Sequence, residues 1–242
     1  MSENHSAAQF PTTCWSRVVR ASATANADTQ GALEELCRDY WYPLYAFVRR
    51  KGHDPHTAQD LVQGLFTDLL QREDFQGLDP GSGRFRSFLM ACCSHYLSKF
   101  QGYEQSQKRG GGRTFILIDA NDAESRFGVE PTHEQTAERL FERRWALTLL
   151  DRVLANLDAE MARADKHALY EKLRPSLLGH EGAPSYRAIA DALNLTEGAV
   201  KMAASRLRGR YRSILREEIG RTVADPAEID DEIRELLGSL SA

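Results

Sequence analysis

The sequence predicts an all-α protein, two small helical domains joined by a polar linker. Three observations predict it. Apolar residues recur at every third or fourth position through most of the chain, the period of a helix with one buried face. Few segments alternate with period two, so there is little from which to build a sheet. Glycine, proline and polar clusters gather mainly between the periodic stretches. The 242 residues are 42% hydrophobic and 27% charged, ordinary values for a globular chain with a real core. That length holds one large domain or two small ones. No apolar run approaches the roughly 18 residues a membrane span needs. Met1–Phe10 is polar and lacks the apolar stretch of a secretory signal. Cys14, Cys37, Cys92 and Cys93 show no Cys-x-x-Cys spacing, so four reduced thiols in a cytoplasmic protein are expected.

The elements follow in order. Residues 31–51 carry Leu33, Leu36, Cys37, Tyr40, Leu44, Phe47 and Val48 at helical spacing, with Pro43 expected to kink or split the helix. A turn at Gly52-His53 leads to Asp54-Pro55, a cap followed by proline at the first helical position. The helix from there to about Arg72 should bury Ala58, Leu61, Val62, Leu65, Phe66 and Leu69, leaving Thr57, Asp60, Gln63 and Thr67 on its polar face. After the loop Asp79–Gly83, a third helix from Arg84 to Phe100 puts Phe85, Phe88, Leu89, Cys92, Cys93, Tyr96 and Phe100 on one arc. Ser87, Ala91, Ser94 and Ser98 lie opposite, beside His95 and Lys99. That side is small and open enough for something flat to approach.

From Gln101 to Pro131 the periodicity is lost and Lys108–Arg113 is a basic, glycine-rich run, so the segment reads as a linker. Thr132, with Gln135 completing a capping box, should start a long helix with a seam of Leu140, Leu147, Leu150, Leu154, Leu157 and Met161. A helix near 167–178 follows. The most informative segment is 185–219. Tyr186, Ile189, Ala190 and Leu193 mark a short helix, and Asn194 tolerates the positive φ of a tight turn. Leu195 should plug that turn, and Thr196 caps a helix burying Val200, Ala204, Leu207, Tyr211 and Ile214. Lys201, Met202, Ser205, Arg206, Arg208, Arg212 and Arg216 lie on or beside its outward face. This is a helix-turn-helix pattern. Asp225-Pro226-Ala227-Glu228 starts a last helix with Ile229, Ile233, Leu236 and Leu237 on its apolar side.

Net charge is −4, which by itself disfavours a nucleic-acid binder, but the charge is segregated. Arg84–Arg113 holds six basic residues against Glu104, and Glu197–Arg216 six against Glu197. Thr222–Ala242 holds six acids against Arg234. Two basic patches and an acidic tail are a different object from a neutral protein.

Three motifs together resemble the small bacterial sigma factors of the extracytoplasmic-function class. They are Ala58-Gln59-Asp60-Leu61-Val62-Gln63-Gly64-Leu65-Phe66, then Gly83-Arg84-Phe85-Arg86-Ser87-Phe88-Leu89, then Ser185–Ala190 with Glu197–Lys201. The resemblance covers about residues 31–220. It implies an N-terminal extension (1–30), a region 2-like domain (31–101), a linker (102–131), a region 4-like domain (132–220, helix-turn-helix at 185–216) and an acidic tail (221–242). The extension Phe10–Ser16 and the tail resemble a subgroup often found beside Ser/Thr protein kinases. Asp60, Gln63 and Thr67 would meet core RNA polymerase, whose β and β′ subunits are the implied partners. Arg84, Arg86, His95 and Lys99 would engage the −10 promoter element, with His95 where the family carries a base-holding asparagine. Lys201, Met202, Ser205, Arg206, Arg208 and Arg212 would read the −35 element.

Thr57 and Gln59 replace acids that the family usually carries at the start of its second helix. A phosphate on Thr57 would add about −1.5 to −2 charges where a helix N-terminus favours an anion, so a Ser/Thr kinase is a candidate partner and Thr57 a candidate switch. An anti-sigma factor is a further candidate; a membrane is not. A free-standing helix-turn-helix regulator is the alternative. It would leave the −10-like helix without a task. No catalytic motif and no cofactor or metal site is expected: His53 and His56 lack a third ligand, and Gly110–Gly112 lacks the lysine and Ser/Thr of a phosphate loop. The acidic tail reads equally as a latch over a basic surface or as a packing helix.

Overall fold

The computed structural model describes residues 27–71, 84–104, 120–128 and 136–241, with side chains from residue 38 onward except at 70, 71, 101–104 and 120–122. The chain is all-helical: α1 (Ala27–Arg50), α2 (Pro55–Gln71), α3 (Phe85–Glu104), α4 (Ala120–Gly128), α5 (Ala137–Arg163), α6 (His167–Leu177), α7 (Tyr186–Leu193), α8 (Glu197–Gly220) and α9 (Ile229–Ser241), the last preceded by a 3₁₀ turn at Pro226–Glu228. Among the described residues the β pairing is one isolated bridge between Arg84 and Val223. No described helix is long and apolar enough to cross a membrane. Two compact units divide the chain, one of residues 1–147 with 219–242, the other of 148–218. The division falls inside α5, later than the expected linker, and the tail returns to the first unit.

The second half of α1 is the centre of the first unit. Every residue from Tyr40 to Val48 is buried, as in a helix packed on all sides. Trp41 stacks on Tyr45 (5.3 Å), and Tyr40 meets Phe85 edge-on (4.9 Å). The helix runs unbroken through Pro43, contrary to the expected kink or split. A proline inside a helix costs about 3 kcal/mol, and burial of one large apolar side chain returns about 1.5–3 kcal/mol, so the surrounding aromatics outweigh it. Gly52, at φ +99°, ends the turn after α1.

Asp54 then caps α2, its Oδ1 accepting the N–H groups of His56 (3.0 Å) and Thr57 (3.1 Å). All six apolar residues expected to be buried on α2 are buried. In α3 the buried stripe is Phe85, Leu89, Cys93 and Leu97, a strict i,i+4 row. Phe88, Cys92, Tyr96 and Phe100, expected on the same arc, are only half-buried.

Helix α4 lies inside the segment expected to be a linker. Its Glu124 accepts from Tyr45 Oη (2.5 Å), Arg49 Nε (3.0 Å) and Arg49 Nη2 (2.7 Å), while Arg126 sits over the Tyr42 ring at 4.0 Å. The expected caps Thr132 and Gln135, the loop Asp79–Gly83 and the N-terminal extension to residue 26 lie outside the described residues. Thr136 caps α5, its hydroxyl accepting from the Arg139 N–H at 3.2 Å. The buried row of α5 in the first unit is Leu140, Phe141, Trp145 and Ala146. Leu147, Leu150, Leu154 and Met161 of the expected seam are half-buried, because the row follows i,i+4 steps rather than a heptad.

In the second unit Leu149, Val153 and Leu157 of α5 join Tyr170, Leu173, Ile189, Val200 and Leu207 in the core. The turn into α6 holds Asp165 at φ +55°. Ser185 caps α7 by accepting the Ala188 N–H (3.2 Å), Asn194 closes it at φ 52°, ψ 42°, and Thr196 caps α8 by accepting the Ala199 N–H (3.2 Å). These are the expected helix-turn-helix signals, with one difference: Leu195 is 43% exposed and does not plug the turn.

Candidate nucleic-acid interface

In the first unit α2 and α3 cross closely enough that a Cβ on Gly64 would collide with the Tyr96 hydroxyl. Beside that crossing lies a cleft of about 470 Å³. Leu65, Leu69 and Phe88 form its apolar floor; Asp68, His95 and Lys99 stand on its polar side. His95 and Lys99 are exposed, and so are Ser87 and Ala91 at the cleft and Ser94 and Ser98 beside them. Burial raises the pKa of Tyr96 and pushes the Cys93 thiol up to about 12, so at neutral pH neither carries charge. A flat, partly apolar slot with an imidazole and an ammonium at its edge suits a stacked base and its phosphate. Sequence reasoning found His95 and Lys99 but missed Tyr96 and Cys92 as lining residues. The signal was present: positions 88, 92 and 96 form their own i,i+4 row beside the buried one.

The residues expected to face the polymerase lie along α2. Asp60 is exposed and its carboxylate meets His56 Nδ1 at 3.2 Å. Gln63 and Thr67 are half-buried, and the Thr67 hydroxyl donates to the Gln63 carbonyl at 2.9 Å. Thr57 is half-buried and donates to Asp54 Oδ2 at 2.5 Å. That hydrogen bond lowers the Asp54 pKa and places a carboxylate where a phosphate on Thr57 would have to fit.

Arg84 is half-buried and Arg86 buried. Arg86 is 6% exposed. Its guanidinium donates to Glu232 (2.7 and 3.1 Å), to Glu142 (3.1 Å) and to Glu235, and lies over the Trp145 ring at 5.0 Å. Arg84 pairs with Glu232 (3.1 Å) and with Glu235. Burial opposes the charge of Arg86, but its carboxylate partners outweigh that and raise its pKa. Both arginines expected at the −10 element thus have guanidinium groups paired with carboxylates of α9. Glu232, wholly buried, interrupts the apolar row of Ile229 and Leu236. That interruption was the sequence signal for a buried acid, though not for the residues it pairs with.

In the second unit Lys201, Met202, Ser205, Arg206 and Arg212 are exposed along α8, Met202 at 57%. Lys201 pairs with Glu197 (2.7 Å). Arg208 is half-buried and donates to the Tyr186 hydroxyl at 2.7 Å, a contact that lowers the Tyr186 pKa. It is turned toward α7 and away from the open face. Met202 and Arg206 also edge a cleft of about 440 Å³ whose walls include Met161, Leu169 and Tyr170. Arg210 is bound to Glu160 (2.5 and 2.7 Å) and Glu217 (2.9 Å) and serves the fold.

Among the described residues, Asp158, His167 and Glu171 bring ligand atoms within 4.8 Å of one another. His167 Nδ1 and Asp158 Oδ1, 2.8 Å apart, already satisfy each other. Comparison with family models, with curated proteins and with solved structures finds no match for this chain.

Proposed function

We propose that this chain is a sigma-type subunit that binds core RNA polymerase and directs it to promoters. The observation that carries this reading is the face of α8. Behind a left-handed Asn194 turn, Lys201, Met202, Ser205, Arg206 and Arg212 all stand exposed on a helix whose other side is core. Such a helix fits the major groove, with its basic residues on phosphates and the shorter side chains on base edges. In this role it reads the −35 element, with Arg208 held by Tyr186 until duplex DNA competes for it.

The α2–α3 cleft supports the second half of the reading. His95 and Lys99 beside an apolar floor would take a base lifted from the −10 strand. Asp60, Gln63 and Thr67 of α2 would face the polymerase. The chain then makes no bonds itself, because the polymerase does the chemistry, and its place is the cytoplasm. Phosphorylation of Thr57 would break its hydrogen bond to Asp54 and add charge beside Asp60. A Ser/Thr kinase is the proposed source and an anti-sigma factor a further proposed partner.

The test is binding of the purified chain to core polymerase, wild type and Thr57→Glu side by side, followed by initiation on a promoter library. The expected result is binding by at least one form and initiation from a shared motif. Binding to duplex DNA without polymerase, as a dimer on a palindrome, would replace this reading with the free-standing regulator.

A further inference from the structure

Within the first unit the tail is seated on the start of α3 by three kinds of contact. The Phe85 N–H donates to the Thr222 carbonyl (2.9 Å), and Arg84 bridges Val223. Ile229 and Leu236 are buried. Between them Glu232 and Glu235 take both guanidiniums, Arg86 as a fork on Glu232 and Arg84 through one contact to each carboxylate. Residues 222–242 carry six acids against one base, and they cover the arginines of a segment otherwise rich in basic residues.

We propose that α9 is an intramolecular competitor for nucleic acid, its Glu232 and Glu235 carboxylates standing where phosphates of the −10 strand would lie. The inference rests on the sigma reading proposed above and on the −10 contact that the family resemblance implies for Arg84 and Arg86. A guanidinium fork binds carboxylate and phosphate through the same planar geometry, so one site serves either anion. A buried guanidinium left without any anion is strongly unfavourable. When α9 leaves, Arg84 loses Glu232 and Glu235 and Arg86 keeps Glu142 alone of its three carboxylates, so a replacement anion is favoured, and a polyanionic strand supplies one. The two outcomes are alternatives: tail docked and strand excluded, or strand bound and tail released. Glu235 is half exposed and Glu232 wholly buried, so the exchange starts at Glu235.

The experiment uses the full chain and a fluorescent single-stranded oligonucleotide, with affinity read by anisotropy for wild type, Glu235→Gln and Asp231→Asn. Both substitutions remove one negative charge from α9, but Asp231 is paired with Arg234 on its own helix (2.5 Å). The expected result is roughly fivefold or more tighter binding for Glu235→Gln, the low end of ordinary coupling between sites, and little change for Asp231→Asn. On the wild-type protein, hydrogen exchange of residues 229–241 should quicken when the oligonucleotide is added. Equal effects of the two substitutions, no binding by any form, or unchanged exchange would each overturn the proposal. Initiation by wild-type chain with core polymerase is scored separately. If initiation succeeds while the latch measurements fail, the latch alone falls; tail release without polymerase binding would sink the sigma reading instead.

Discussion

The buried ion cluster is the sharpest residue-scale feature. Replacing Glu232 by Ala takes away two of the four carboxylate hydrogen bonds of Arg86 and leaves those to Glu142 and Glu235, so the expected loss is a part of the roughly 3–5 kcal/mol that breaking a buried pair outright costs. Denaturant unfolding followed by fluorescence should show that loss, since Trp41 and Trp145 are buried in the same unit. Acid should weaken the protein too. Arg49 lowers the Glu124 pKa, Arg210 lowers that of Glu160, and for Glu235 the two arginines outweigh a burial effect of opposite sign. A carboxylate held below its unfolded value of about 4.3 stabilises the fold above that pH and loses the contribution as pH falls through the folded value. Urea midpoints should therefore hold at neutral pH and fall below about pH 4. The individual arginines were legible in the sequence as basic residues. Their partners were not, because Glu232 and Glu235 lie about 150 positions away and no local period links such distant groups.

At the scale of the element, helices with marked ends were readable and unmarked ones were not. Asp54-Pro55, Ser185, Thr196 and Asp225 each signalled a boundary through a side chain that accepts from exposed backbone N–H groups, and each does so here, while Asn194 marked its boundary through a left-handed backbone. Helix α4, nine residues with few apolar marks, gave no signal of comparable strength; its position depends on Glu124 reaching Tyr45 and Arg49. Stripes were misread where two i,i+4 rows run side by side, as on α3, since period alone does not say which row faces the core. The left-handed turn offers a direct test. Asn194→Ala should destabilise the second unit by about 1–2 kcal/mol, the cost of a Cβ at positive φ without asparagine's local hydrogen bonding. Asn194→Gly should be close to neutral. Thermal unfolding of both variants checks the pair.

For the whole molecule, the division into units was the least legible feature. Composition suggested a break at 102–131, yet contacts assign 219–242 to the first unit and split α5 at 147. Removing residues 222–242 should accordingly destabilise the first unit by several kcal/mol, because Val223, Ile229 and Leu236 leave its core at about 1.5–3 kcal/mol each and Arg86 loses Glu232 and Glu235. A fall in the thermal midpoint of tryptophan fluorescence would register it; an unchanged midpoint would mean the tail adds nothing to that core. The assignment also sets an order of events during synthesis. Residues 148–218 are all made before α9 exists, so the second unit has its full sequence while the first still lacks a side of its core. At roughly 5–20 residues per second, the wait from residue 218 to the end of α9 lasts seconds. During that interval Arg84 and Arg86 have not yet met Glu232 and Glu235, so under the competition proposed above the nascent chain would pass through a stage open to a polyanion that the docked tail later excludes.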